Sequence, residues 1–354
     1  MRRLKLGMKD PCEDGRTRLA KVPRSRAEEV RKRLNRVGSV RKDRKIVEDG
    51  DHVLIPLNED LDVRQIEEMA IEVIEGETVP RSWFRSPMER IVEEIEVEDW
   101  ILQFLPKKWE KVGDILIMRF PEEIAHLKKQ VARTYAEVLG AKTVCEDVGG
   151  ISGVYRRPSV KIILGTDTET IHHENGVQYM MDVTKIMLSS GNVDERQRMG
   201  EIDCSGETVV DMFAGIGYFT LPVAVHGNPR KVIACEINPD AQYYLHKNLS
   251  LNRVESFVEI FRGDNRTLPL SQVADRVIMG YVGTGEFLEK GIDLVKPGGV
   301  VHYHDTAPVD QVYLLENFVL DASVERDAKI LSIREIKSYA PAVSHFVVDL
   351  KIMQ

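Results

Sequence analysis

The 354-residue sequence has few cysteines and no long apolar run. Its four cysteines, at positions 12, 145, 204 and 235, form no Cys-x-x-Cys pair, which excludes a zinc ribbon and a disulfide framework. The sequence contains no run of about 18 apolar residues, so no membrane span is predicted. The first residues lack the apolar segment of a secretory signal. We therefore expect a cytoplasmic protein without membrane contact.

Two common phosphate-binding motifs are also missing. No Gly-Lys-Ser/Thr triplet follows a glycine turn, which excludes a P-loop. The turn Gly215-x-Gly217 lacks the third glycine of a dinucleotide fingerprint, because Thr220 occupies that position. There is no internal repeat and no low-complexity segment, so repeat architectures are not predicted.

The most informative segment is this glycine turn and its flanks. An apolar run at 208–210 ends at Asp211, and a second apolar run at 220–225 follows Gly215 and Gly217. The order predicts a buried strand, a tight turn and a helix. Glycine lets a ligand approach the backbone where a Cβ would collide. The alternative, a turn that only closes a strand–helix unit, stays open.

Acidic residues follow two further strand patterns. The run 231–235 ends at Glu236, which can accept hydrogen bonds from both hydroxyls of a ribose. Asp264 and Asn265 follow Gly263 in the same way. Strand-end acids around a glycine turn favour an adenosyl ligand. With the strand at 276–279, the pattern resembles the α/β, Rossmann-like sheet of class I S-adenosylmethionine-dependent enzymes.

Charge is distributed unevenly along the chain. Residues 1–45 contain 17 Lys/Arg and 6 Asp/Glu, whereas residues 46–100 contain 4 Lys/Arg and 17 Asp/Glu. A basic segment of this kind favours a polyanionic partner, although a solvated basic surface is the plainer alternative. Interspersed Leu and Val residues indicate a folded module rather than a tail.

These patterns predict four segments. Residues 1–60 form a small basic α+β module in which Ser25 and Glu28 make a helix capping box. Residues 61–88 form an acidic linker with a short helix, 89–175 a central α+β module, and 176–354 the Rossmann-like domain. Three local predictions matter below: strands at 154–157 and 160–164, a hairpin turning at Gly176, and a loop at 337–341.

Longer motifs carry a family resemblance. Leu105-Pro-x-x-Trp109 with Gly113-Asp114, Glu195-Arg196-x-Arg198-Met199, and the segment 211–217 are similar to the archaeal and eukaryotic enzymes that modify tRNA position 37. This family has two branches. One is the tRNA guanine-37 N1-methyltransferase, and the other transfers the 3-amino-3-carboxypropyl group of S-adenosylmethionine to 4-demethylwyosine. The motifs quoted are shared by both.

The segment 277–282, Val-Ile-Met-Gly-Tyr-Val, separates the branches. Amine-directed methyltransferases carry an Asn or Asp here, whose carbonyl orients the target nitrogen. Met279 and Gly280 offer no such carbonyl. The resemblance therefore implies transfer to carbon 7 of 4-demethylwyosine in tRNA(Phe), with release of methylthioadenosine. Guanine-37 N1-methylation is one alternative, and a non-catalytic RNA-binding protein with a vestigial Rossmann-like domain is another.

The resemblance also implies a set of site residues. Arg196 would clamp the carboxylate of S-adenosylmethionine, the group donor, unless it forms a surface ion pair with Asp194 or Glu195. Leu188 departs from the aromatic residue of the family, which puts stacking there in doubt. His302 and His304 share a strand face without a third ligand, so we expect no metal. The partner is the tRNA anticodon loop, with no obligate protein partner. The predicted cofactor residues are Ser189, Arg196, Asp211, Gly215, Gly217, Glu236, Asp264 and Asn265, and the predicted base-pocket residues are Met279, Gly280, Tyr281, Tyr339 and Pro341.

Overall fold

The computed structural model describes residues 16–58, 69, 71–79 and 85–354. The chain divides into two compact units, Met1–Ser86 and Pro87–Gln354. Across the described residues, no helix is both long enough and apolar enough to cross a membrane.

The first unit is an antiparallel sheet packed on one helix. Its strands pair in the order β2-β3-β1-β4, and Val30 and Leu34 are the buried residues of the helix. Apolar side chains of the sheet, including Ala20 and Ile55, complete the core. The elements in chain order are β1 (Arg16–Pro23), α1 (Ala27–Arg36), β2 (Val47–Asp49), β3 (His52–Pro56) and β4 (Glu72–Glu77).

Two predictions for this unit are wrong. Part of the segment 61–88, predicted as a linker, is strand β4, which pairs with β1 and places Ile74 opposite Leu19. Residues 71–79 contain no helix that corresponds to the predicted short helix. Of residues 61–70, all but residue 69 lie outside the described residues. The capping box does not form, because Ser25 lies in a 3-10 turn and Glu28 pairs with Arg31 instead.

The second unit begins with a four-stranded sheet in the order β5-β6-β7-β8, covered by helix α3. Helix α3 ends at Gly140, which takes the left-handed conformation (φ 64°) typical of a helix C-terminus. Leu116, Val131 and Tyr135 are fully buried between helix and sheet. The elements are α2 (Pro87–Glu94), β5 (Trp109–Val112), β6 (Ile115–Met118), α3 (Lys128–Leu139), β7 (Thr143–Ser152) and β8 (Arg157–Leu164).

The strand prediction at 154–157 is wrong for most of that range. Residues 153–156 form the turn between β7 and β8, with φ of 70° at Gly153 and 50° at Arg156. Strand β7 was not predicted, because Gly149 and Gly150 interrupt its apolar pattern. The turn leaves Val154 almost fully exposed.

A hairpin joins this sheet to the larger one. Strands β9 (Glu169–Glu174) and β10 (Val177–Asp182) turn at Asn175 and Gly176, both with positive φ, as the prediction of a turn at Gly176 required. Tyr179 and Met181 of β10 are buried in the core of the larger sheet's domain. Asn248 fixes the position of the hairpin, because its side chain accepts a hydrogen bond from the N–H of Met180 and donates one to its C=O.

The larger sheet has seven strands in the order β13-β12-β11-β14-β15-β17-β16, and only β17 runs antiparallel to its neighbours β15 and β16. The predicted α/β Rossmann-like class is confirmed. Ligands bind such sheets at the carboxyl ends of the strands where the strand order reverses, here between β11 and β14. The elements are α4 (Val193–Glu201), β11 (Thr208–Asp211), α5 (Thr220–His226), β12 (Lys231–Glu236), α6 (Pro239–Leu251), β13 (Val258–Arg262), β14 (Ala274–Met279), α7 (Leu288–Leu294), β15 (Val295–Pro308), α8 (Val312–Ala322), β16 (Ala328–Ala340) and β17 (Val343–Ile352).

The loop predicted at 337–341 is wrong for four of its five residues. Residues 337–340 are the end of β16, and the turn consists of Pro341 and Ala342, the latter with φ of 60°. Strand β16 is a sheet edge with mostly half-exposed side chains. Such a strand lacks the clear apolar alternation that sequence patterns detect.

Candidate active site

The glycine turn after β11 is built so that only glycine fits. Gly215 and Gly217 have φ of 57° and 105°. A Cβ at Gly215 would lie 2.6 Å from the ring of Tyr218, and one at Gly217 would lie 2.7 Å from Leu221. Backbone strain and steric overlap therefore both exclude other residues.

Asp211 holds this turn in place. Its Oδ1 accepts from the N–H of Phe213 (3.1 Å), and its Oδ2 accepts from the hydroxyl of Thr220 (2.8 Å). The side chain is completely buried. Burial, together with the nearby Glu236 carboxylate, raises the pKa of Asp211 to about 6. Asp211 was predicted to bind the cofactor; in the structure, both of its carboxylate oxygens accept from groups of the turn and the helix after it.

Glu236 bridges the glycine turn and the start of helix α6. One carboxylate oxygen accepts from the N–H of Gly215 and the other from the N–H of Asn238, both at 2.7 Å. Burial raises the pKa of Glu236, and these backbone hydrogen bonds act against that rise. A carboxylate at the end of β12, next to the glycine turn, is placed as a ribose ligand requires.

Asn265 and Asp264 lie after β13 and differ in their free hydrogen-bonding capacity. The amide nitrogen of Asn265 donates to the carbonyl of Met212 (2.6 Å), while its Oδ1 is buried and has no partner among the described residues. The Asp264 carboxylate accepts from the guanidinium of Arg266 (2.6 Å), which lowers its pKa. Asn265 therefore keeps an acceptor for a ligand, and Asp264 shares its acceptors with Arg266.

Arg196 does not form the ion pair with Asp194 or Glu195 that was the alternative prediction. Its guanidinium makes two 2.6 Å bonds to the Glu174 carboxylate, and its third nitrogen donates to the carbonyl of Ser189 (2.9 Å). The pair is buried, not at the surface, and Glu195 pairs with Arg198 instead. Burial alone would raise the pKa of Glu174, but the bonds from Arg196 and a neighbouring histidine outweigh it and lower the pKa to about 2.

Lys337 enters the site from β16 without any signal in the sequence. Its Nζ donates to the hydroxyl of Ser189 (2.6 Å). Its segment was predicted as a loop, and an isolated lysine before Ser-Tyr-Ala-Pro carries no motif. Ser189 thus receives its backbone contact from Arg196 and its side-chain contact from Lys337.

Met279 and Gly280 at the end of β14 are packed, not open. Met279 is fully buried, and its sulfur lies 2.7 Å from where a Cβ of Gly291 would stand. A Cβ at Gly280 would overlap the ring of Phe219. Met279, predicted as a pocket residue, belongs to the core. The space that Gly280 leaves is filled by Phe219.

Tyr281 lies in an aromatic layer. Its ring stacks on Phe213, with centroids 5.7 Å apart, and the guanidinium of Arg156 lies 5.2 Å from its centroid. Neither Phe213 nor Arg156 was predicted as a site residue. Tyr339 and Pro341 are exposed at the β16–β17 turn, where they remain predictions for the base pocket.

His302 and His304 of β15 both contact polar side chains of the protein. His302 lies 2.6 Å from Asp349 and 2.7 Å from a nitrogen of Arg276, and His304 lies 3.0 Å from His345. A cationic neighbour such as Arg276 disfavours a metal at His302. In the described part of the chain, no group of three or more His, Cys, Asp or Glu side chains could hold a metal ion.

Three family models match the sequence. The TRM5/TYW2 methyltransferase domain matches residues 170–329, the TYW2 N-terminal domain matches 88–168, and the tRNA methyltransferase 5 N-terminal domain matches 21–65.

Individual relatives come from both branches. The tRNA(Phe) (4-demethylwyosine(37)-C(7)) aminocarboxypropyltransferase of Pyrococcus horikoshii is 41% identical over 73% of this chain and 94% of its own. The tRNA (guanine(37)-N(1))-methyltransferase Trm5b of Pyrococcus abyssi is 34% identical over 95% of this chain and 99% of its own. The crystal structure of Methanocaldococcus jannaschii TYW2 with AdoMet is similar at 38% identity and a TM-score of 0.57, over 70% of this chain and 100% of that one.

Proposed function

The chain belongs to the TRM5/TYW2 family, and on that premise we propose that it is a tRNA-modifying aminocarboxypropyltransferase. It transfers the 3-amino-3-carboxypropyl group of S-adenosylmethionine to carbon 7 of 4-demethylwyosine at position 37 of tRNA(Phe). Methylthioadenosine is released. The P. horikoshii relative with this activity in its name aligns over nearly its whole length.

The carboxyl edge of the large sheet fits an adenosyl donor. Glu236 offers its carboxylate to the ribose hydroxyls, and the glycine turn beside it leaves backbone accessible. The buried, unpartnered Oδ1 of Asn265 is an acceptor for the adenine amino group. Asp264, whose carboxylate also accepts from Arg266, is a second candidate for that contact. A vestigial domain would have no reason to keep this arrangement, which argues against a non-catalytic protein.

The observation that carries the branch assignment is the packing of Gly280. Nitrogen methylation in this family needs a side-chain carbonyl at the end of β14. Here, position 280 has no side chain, and the Phe219 ring occupies the place of its Cβ. The chain therefore cannot orient a ring nitrogen in that way.

The reaction is a substitution at the donor's γ-carbon. The bond from carbon 7 to the γ-carbon forms, the bond from the γ-carbon to sulfur breaks, and the electron pair stays on sulfur as a neutral thioether. Carbon 7 then loses its proton to solvent water, which restores the neutral ring. Because the leaving group is neutral, the protein's main task is to hold the γ-carbon about 3–3.5 Å from the base, in line with the sulfur.

Product analysis tests this proposal. The purified protein is incubated with S-adenosylmethionine and tRNA that carries 4-demethylwyosine, and in parallel with tRNA that carries unmodified guanine-37. We expect methylthioadenosine with the first RNA and almost no S-adenosylhomocysteine with the second. The reverse pattern would establish guanine-37 N1-methylation instead.

Guanine-37 N1-methylation, the alternative reaction, has one observation in its favour. The P. abyssi guanine-37 methyltransferase aligns with 95% of this chain, so its alignment must include most of the first unit. The first unit, however, does not contain the strand ends at which the transfer chemistry would occur. The shared unit therefore supports a common mode of tRNA binding and not a common reaction.

We propose that the first unit binds tRNA away from the anticodon loop. Arg33 and Arg36 are exposed on α1 in the basic part of the sequence. Replacing both with Gln should raise the KM for full-length tRNA and reduce its salt dependence, because fewer phosphate contacts release fewer counterions. An anticodon stem-loop serves as the control RNA. An equal effect on both RNAs would show that these residues do not contact the distant part of the tRNA.

A further inference from the structure

Lys337 is held in a fixed position at the carboxyl edge of the large sheet. It pairs in register with His345, which in turn pairs with Thr306 near the end of β15. Its side chain lies across Gly191, where a Cβ would stand 2.7 Å from the lysine Cδ and 3.2 Å from Nζ. Gly191 therefore permits the approach that brings Nζ to the Ser189 hydroxyl.

Contacts on both sides connect this lysine to the glycine turn. Tyr218, the residue after Gly217, donates its hydroxyl hydrogen bond to the carbonyl of Met187, two residues before Ser189. On the other side, Phe219 packs against His304, with ring centroids 5.3 Å apart, and His304 bonds to His345. Lys337 is thus connected through neighbouring residues to Tyr218 and Phe219, the two residues between Gly217 and α5.

The surroundings of Lys337 are cationic. Burial lowers its pKa, the charges of Arg196 and Arg156 lower it further, and Glu110 acts in the opposite direction. Glu110 is hydrogen-bonded to the hydroxyl of Ser190 (2.6 Å). Within the described ranges, Lys337 forms no salt bridge: the Ser189 hydroxyl accepts from one of its three donors, and no carboxylate accepts from any of them.

The other buried cation at this position is already neutralised. Both oxygens of Glu174 are bound by the Arg196 guanidinium, and the remaining nitrogen holds the Ser189 backbone. A half-buried ammonium without a carboxylate partner is costly unless an anion joins it. Of the two cations that contact Ser189, Arg196 is therefore occupied by a carboxylate, and Lys337 is the one prepared for an anionic group.

We propose that the ammonium group of Lys337 binds the carboxylate of the methionine part of S-adenosylmethionine. This inference rests on the proposed function, since it assigns a contact within the same donor site. Glu236 would hold the ribose end and Lys337 the amino-acid end, so that the γ-carbon lies between two fixed points. Methylthioadenosine has no carboxylate, so the Lys337 contact stays with the group transferred to tRNA and does not retain the released nucleoside.

The two nucleosides make a direct binding test possible. Dissociation constants for S-adenosylmethionine and for methylthioadenosine are measured by titration calorimetry with the wild-type chain and with Lys337→Met. Loss of a charge-assisted hydrogen bond should weaken S-adenosylmethionine binding about tenfold or more, while methylthioadenosine binding stays within about twofold. Lys337→Arg should restore part of the preference for S-adenosylmethionine.

Three further variants serve as comparisons for the Lys337→Met measurement. Lys329→Met removes an exposed lysine at the far end of β16 and should change neither constant. Gly191→Ala should displace the lysine side chain and reproduce the selective loss. Glu236→Gln should weaken both nucleosides, because both contain the ribose. Thermal melting of each variant checks that it is folded.

Each remaining outcome has a definite meaning. Equal weakening of both nucleosides by Lys337→Met, or no weakening of either, would overturn the proposed contact. A loss of tRNA affinity with unchanged S-adenosylmethionine binding would assign the lysine to an RNA phosphate and would also overturn it. If the wild-type chain failed to bind S-adenosylmethionine at all, the proposed function itself would fail.

Discussion

The ring of Phe219 occupies the position that a side chain at residue 280 would need. The two residues lie at the ends of different elements, since Phe219 precedes α5 and Gly280 follows β14. Their packing leaves no space for a side chain at residue 280.

Gly280→Ala should therefore destabilise the protein by about 1–3 kcal/mol, because the added methyl forces Phe219 out of its position. The measurement is the free energy of unfolding in urea. A double-mutant cycle with Phe219→Leu provides the control. The cost of Gly280→Ala should be smaller in that background, and an equal cost in both backgrounds would mean that Phe219 is not the obstacle.

The main expected effect of replacing Arg196 is a loss of stability, not a loss of catalysis. Arg196→Met leaves the buried Glu174 carboxylate without its partner, which should cost about 3–5 kcal/mol. The double variant Arg196→Met/Glu174→Leu should recover most of this loss, as judged by melting temperature. If the single variant melts like the wild type, the pair does not hold the segment that carries Ser189.

Glu236→Gln should weaken S-adenosylmethionine binding by about 1–3 kcal/mol, because the ribose hydroxyls lose a charged acceptor. The same carboxylate fixes the N–H groups of Gly215 and Asn238, so part of the loss will come from the turn itself. Calorimetric titration measures the change. Unchanged affinity would show that the ribose binds elsewhere.

Acid should destabilise the protein through His345. Burial and the neighbouring Lys337 lower its folded pKa from 6.5 to about 4. Between these values, the unfolded chain binds more protons than the folded one, so stability falls as the pH falls. From about pH 7 to about pH 4.5, this group contributes a loss on the order of 2 kcal/mol. His345→Gln should flatten the pH dependence of the melting temperature there, and an unchanged slope would contradict the assignment.

The sequence predicted best where a motif coincides with buried regular structure. The glycine turn and Glu236 both follow strands with continuous apolar runs. Such runs mark the central strands of parallel sheets. The carboxyl edge of the sheet could therefore be located without coordinates.

The contacts of individual side chains could not be predicted in the same way. Arg196 matches a motif, but its partner Glu174 is 22 residues away on a hairpin. Lys337 and Ser189 are 148 residues apart in the sequence. They meet because Lys337 lies on β16, an edge strand that lacks a clear apolar alternation. Sequence patterns report local periodicity, whereas these contacts depend on tertiary packing.

The most direct test follows two carbon atoms of the donor. S-adenosylmethionine labelled at the carboxyl carbon, and separately at the methyl carbon, is incubated with the protein and tRNA bearing 4-demethylwyosine. Aminocarboxypropyl transfer predicts that the carboxyl label enters the tRNA while the methyl label remains in methylthioadenosine. Methyl label in the tRNA, with carboxyl label left in S-adenosylhomocysteine, would contradict the proposed reaction.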